Sequence, residues 1–71
     1  MTFDISGIYQ NNQIAYSVSS NDFETFDLTL RDAGGIKELL PEKLTLVKGQ
    51  QYFSILDKFL MELIEDWRND G

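Results

Sequence analysis

The chain has 71 residues, 12 of them acidic and 6 basic, a formal net charge of -6, and neither Cys nor His. Without Cys there is no disulfide framework and no thiolate metal site, and without His the commonest general base and every Ser-His or Cys-His nucleophile arrangement are excluded. The negative balance disfavours phosphate backbones and anionic membrane surfaces, so neither direct nucleic-acid binding nor membrane binding is expected.

No apolar run approaches the ~20 residues that span a bilayer, and MTFDISGIYQ lacks a basic segment followed by an apolar core. These features point to a soluble cytoplasmic protein. A domain this short buries a small fraction of its surface and is marginally stable, which makes self-association a reasonable expectation.

Phe3 to Tyr9 alternates with the two-residue period of a half-buried strand: Phe3, Ile5 and Tyr9 share a parity with Gly7, while Ile8 breaks the pattern. Gln10, Asn11, Asn12 and Gln13 make a polar break in which Asn accepts the left-handed backbone of a tight hairpin. Ile14 to Ser19 resumes the alternation, with Ile14, Tyr16 and Val18 on one face. Ser19, Ser20, Asn21 and Asp22 form the next turn, and from Phe23 to Arg31 the inward set is Phe26, Leu28 and Leu30. Phe23 has the wrong parity and belongs at the start of the strand. Together these runs predict an up-and-down meander.

Gly34-Gly35 punctuates the backbone, and Ile36 to Leu40 is long enough for one helical turn, stopped by Pro41. Glu42 to Val47 reads as a fourth strand through Leu44 and Leu46. A short helix beginning at Pro41 is the alternative.

Gln50 to Trp67 is amphipathic: Tyr52, Phe53, Ile55, Leu56, Phe59, Leu60, Leu63, Ile64 and Trp67 gather on one side of a helical wheel, across roughly half of it at ~100° per residue. The expected architecture is α+β, one small domain over 1–71, with a three- to four-stranded antiparallel sheet and a long C-terminal helix packed on one face. The expected core is Ile5, Tyr16, Val18, Phe26, Leu28, Leu30, Leu44 and Leu46 against Leu56, Phe59, Leu60 and Leu63.

No motif for a metal or cofactor is present. The carboxylates of Asp22, Glu24 and Asp27 lack the ordered spacing of a calcium loop, and Gly34-Gly35 lacks the remaining parts of a phosphate loop. None is expected to be bound. Paired carboxylates need a cleft to act as acid and base, and so short a chain gives little reason to expect one, so a non-enzyme is predicted.

The acidic residues concentrate at the two ends of the chain. Glu62, Glu65 and Asp66 lie in the last helical turns, at the negative end of the helix dipole, and Glu62 and Asp66 are like charges four apart. The simple interpretation is a solvated face, and the functional one is a patch for a basic partner. Met61 falls on the polar side of the wheel. The apolar arc is wide enough to leave an edge, Phe53 and Ile64, outside the sheet's shelter, unless Ile36, Leu39 and Leu40 cover it. Trp67 reads as a core-edge residue or a contact anchor.

The candidate partner-binding set is therefore Phe53, Met61, Ile64 and Trp67 with Glu62, Glu65 and Asp66. The expected function is that of a small acidic regulator or inhibitor acting by protein-protein contact, free of any cofactor and able to form a homodimer. The alternative is a nucleic-acid mimic in which Asp4, Asp22, Glu24, Asp27, Glu62, Glu65, Asp66 and Asp70 stand in for phosphates and block a DNA- or RNA-handling enzyme of the kind mobile elements target.

Overall fold

A computed structural model describes residues 1–50, 52 and 54–70. The element order is β1 (Thr2–Tyr9), β2 (Asn12–Ser19), β3 (Thr25–Asp32), a 3-10 turn (Lys37–Leu39), β4 (Lys43–Val47) and α1 (Ile55–Asp70). The four strands form one antiparallel sheet in the order β1-β2-β3-β4, with α1 on one face, so the fold is α+β as the alternation predicts. The ambiguous piece before Lys48 is a strand. Among the described residues no helix is long and apolar enough to cross a membrane.

The hairpin between β1 and β2 is tighter than the four-residue polar break suggests. Gln10 and Asn11 both take positive φ, 49° and 65°, the backbone of a two-residue turn whose twist matches the flanking strands. Asn12 and Gln13 are thereby released into β2, where Asn12 Oδ1 accepts the Gly35 N–H at 3.1 Å.

The second turn is built by side chains. Ser20 Oγ accepts from the Phe23 N–H at 3.0 Å, and Asp22 Oδ1 accepts from both Glu24 and Thr25 N–H at 2.9 Å. The bonds from Thr25 and Glu24 hold the Asp22 carboxyl below its usual range. Phe23 takes a φ of 57°, which turns its ring to the helix side and delays β3 until Thr25.

Strand registers bring the inward residues into rows. Phe3, Val18, Leu28 and Leu44 form one row, and Ile5, Tyr16 and Leu30 another. The core is Phe3, Ile5, Ile14, Tyr16, Val18, Phe26, Leu28, Ala33, Leu40, Leu46, Leu60, Met61 and Ile64. Leu30, Leu44, Leu56, Phe59 and Leu63, expected at its centre, are half-buried around it.

The helix begins later than the amphipathic pattern predicts, at Ile55 rather than Gln50. Ser54 is the reason: its Oγ accepts the Asp57 N–H at 3.0 Å, satisfying one of the free amides of the first turn. Tyr52 therefore precedes the helix and donates its hydroxyl to the Val47 carbonyl at 3.3 Å. Ile55, in the first turn, is exposed.

These shifts rotate the buried side of α1. Among the strands α1 lies closest to β1, and a Cβ at Gly7 would meet Phe59 Cζ at 3.0 Å and Leu63 Cδ2 at 3.2 Å. The helix rests on a strand position that has no side chain. Phe59 and Leu63 take the β1 side, which leaves Leu60, Met61 and Ile64 to fill the space over the rest of the sheet.

Candidate interaction surfaces

Two of the predicted contact residues are interior. Met61 is 3% exposed and Ile64 2%, so neither the polar-side position expected for Met61 nor the free edge expected at Ile64 holds. The side of α1 that meets the sheet is not the centre of the apolar arc: Ile55, inside the arc, is exposed, while Met61, outside it, is buried with Leu60 and Ile64. Phe53 lies outside the described residues.

Glu62, Glu65 and Asp66 are exposed as expected. They stand on the outer side of α1, in the half that ends at the negative pole of its dipole. One residue past Asp66, on the side of the helix toward the sheet, Trp67 is 36% exposed and stacks on Phe3 with ring centroids 3.8 Å apart and planes 10° from parallel.

Phe23 extends this aromatic group, stacked on Phe3 at 6.3 Å and edge-on to Phe26 at 6.2 Å. The Arg68 guanidinium sits over Phe23, 5.3 Å from its centroid. The strained turn at Phe23 thus supplies a platform for Arg68, within the cation–π range. Trp67 is both a core-edge residue and partly open.

Among the described residues no helix covers the outer sheet face, on which Ser and Thr are the commonest residues. Along it Thr2, Ser19, Asp27 and Thr45 align, as do Asp4, Ser17, Thr29 and Lys43. Thr45 Oγ1 donates to Asp27 Oδ1 at 2.9 Å. A groove of about 460 Å³ at the β3–β4 end is lined by Arg31, Lys37 and Lys43 together with Asp32 and Glu42. The residues bearing these charges are all exposed. Among the described residues no group of three or more carboxylates is placed to hold a metal ion.

The fold also has a feature that residue chemistry did not single out. Met1 and Ser20 exchange both backbone bonds, at 2.8 and 2.9 Å. Alternation along an antiparallel pair then turns the N–H and C=O groups of Phe3, Ile5, Gly7 and Tyr9 toward β2, and those of Thr2, Asp4, Ser6 and Ile8 toward the open side of β1. Ile8, 68% exposed, lies along that edge. The signal was legible: in a meander the first strand is an edge, and this one contains no Lys, Arg or Pro to guard it.

No protein-family model, curated protein or solved structure matches this chain.

Proposed function

We propose that this protein is a non-enzymatic binding module that presents the outer side of α1, with Glu62, Glu65 and Asp66, to a basic surface on another protein, the open rim of Trp67 lying at the margin of that side. The observation that carries the reading is the pairing of three exposed carboxylates with a partly open indole on one short stretch of helix. Glu65 and Asp66 approach the C-terminal end of α1, where the dipole disfavours negative charge, and Glu62 and Asp66 repel four residues apart, so a cationic partner would relieve both costs. Trp67, held flat against Phe3, offers a rigid aromatic rim that loses little freedom on contact. The non-enzymatic part of the reading rests on the absence of His and Cys.

Mimicry of a phosphate backbone has less support. Asp4 and Asp27 project from the outer sheet face, while Glu62, Glu65 and Asp66 stand on a helix that covers the opposite face. The carboxylates do not form one stripe.

The test is cross-linking capture of a partner, followed by affinity measurement with purified components between low and high salt. The variant Glu62→Gln/Glu65→Gln/Asp66→Asn should fold, lose affinity at least about tenfold, and show a shallower dependence on salt. Unchanged affinity would overturn the assignment to this side of α1.

A further inference from the structure

We infer that β1 is a pairing edge for a second copy of this chain, through antiparallel β1–β1 contact about a two-fold axis that makes one continuous eight-stranded sheet.

The backbone supplies the drive. Thr2, Asp4, Ser6 and Ile8 direct their N–H and C=O groups away from β2, and an edge with Asp4 as its one charged guard remains a template for another strand. Apolar surface flanks the edge on both faces. Ile8 lies on the outer face, and the half-buried Phe59 and Leu63, with Trp67, lie over β1 on the helix face.

The occupant follows from self-complementarity. If Asp4 stands opposite Ser6 of the second copy, then Thr2 stands opposite Ile8, and all four outward residues of each strand exchange backbone bonds. Ile5 then meets its own copy at the axis, and Phe3 lies opposite Gly7, which Phe59 and Leu63 of its own chain already cover. Sliding the strands by two residues one way sets Asp4 directly against Asp4, and the other way it sets Asp4 against Ile8 and shortens the pairing. One register therefore satisfies the edge fully without a direct clash of charge.

A stable dimer needs the flanking side chains as well as the strand backbone. A standard interface takes about 800 Å² from each partner, roughly a sixth of the 4832 Å² accessible on the isolated chain. Two acidic chains repel, so this contact strengthens as salt rises, the opposite sign from binding a basic partner. The inference is independent of the role given to Glu62, Glu65 and Asp66.

Sedimentation of the full chain from about 5 to 500 µM tests it. The wild type should move from the 8.2 kDa chain mass toward twice that value, at lower concentration in higher salt. Ser6→Pro removes an outward N–H and should give a folded monomer, as an edge position tolerates proline. Thr45→Pro makes the same change at the β4 edge and should stay dimeric.

Should Ser6→Pro fail to fold by circular dichroism, Ile8→Glu serves instead: it puts a carboxylate diagonal to Asp4 of the second copy and should weaken the dimer at least about tenfold. Asp4→Asn should tighten it several-fold, because the two Asp4 side chains are diagonal neighbours across the axis. A wild type monomeric at 500 µM, an Ile8→Glu variant as dimeric as wild type, or loss of the dimer in Thr45→Pro would each overturn the inference. The reading of α1 would survive any of these.

Discussion

The two edges of this sheet are finished differently. β4 is five residues long, follows Pro41 closely, and sends Lys43 out from its first position. Short length, proline and lysine are the ordinary means of making a strand edge unattractive to other strands. β1 has eight residues, none of these guards, and an exposed Ile8 near its end. Its stability comes from one side: β2 pairs with it, and α1 rests on it at Gly7. The edge left chemically open is thus the one held most firmly by the helix. A firmly held strand keeps its outward backbone groups in fixed array, which is what pairing with another strand requires.

The largest expected effect comes from releasing that clamp. Ile64→Glu would bury a carboxylate at a position 2% exposed and should unfold the chain at neutral pH rather than yield a folded monomer. Met61→Ala should cost on the order of 2–5 kcal/mol. Thermal or urea unfolding measures the loss, and hydrogen exchange should show β1 amides opening before those of β3. Full stability in Ile64→Glu would contradict the rotation of α1 described above.

A finer test acts at the seat of the helix. Gly7→Val should destabilise by about 1–3 kcal/mol, since its branched carbons press on Phe59 and Leu63. Gly7→Ala should do much less, because the ring end of Phe59 can yield by a few tenths of an ångström and the smaller unfolded-state freedom of alanine offsets the contact. Equal losses for both substitutions would show that the backbone, not the helix contact, needs glycine there.

The contrast between the edges also separates what residue order reveals from what it conceals. The meander, the fourth strand and the C-terminal helix are all legible, because alternation and helical period are local and survive in short runs. The start of α1 was missed although Ser54 and Asp57 have the spacing of a helix cap, since the apolar residues Tyr52 and Phe53 extend the wheel past it. A wheel built on residue type alone also centres the buried side on the apolar arc, which made Met61 and Ile64 look available, although both are buried. Their burial depends on where the helix axis crosses the sheet, and Gly7, a residue with no side chain to attract notice, lets Phe59 and Leu63 come close to β1 there. Glu62, Glu65 and Asp66 were placed correctly because exposed charge follows from the polar side of a helix whatever its exact start.

The smallest effect concerns how the β4 side is tied down. Tyr16 reaches from β2, fully buried, to donate its hydroxyl to the Pro41 carbonyl at 2.8 Å. Burial, reinforced by the negative Asp57, pushes its pKa up from 10.0 to about 12. The neutral phenol is therefore favoured in the folded chain, and the stability it contributes is complete below about pH 10 and lost as pH rises toward 12. Tyr16→Phe should lose about 1 kcal/mol at neutral pH, the net worth of one hydrogen bond. Above pH 10 its stability should fall less steeply than that of the wild type, so the two curves converge and then cross, the rise from 10.0 to about 12 being worth more than the one hydrogen bond. Parallel curves in urea titrations from pH 7 to 12 would mean that some group other than Tyr16 governs the alkaline limit, and the tie from Tyr16 to the head of β4 would then contribute no pH dependence of its own.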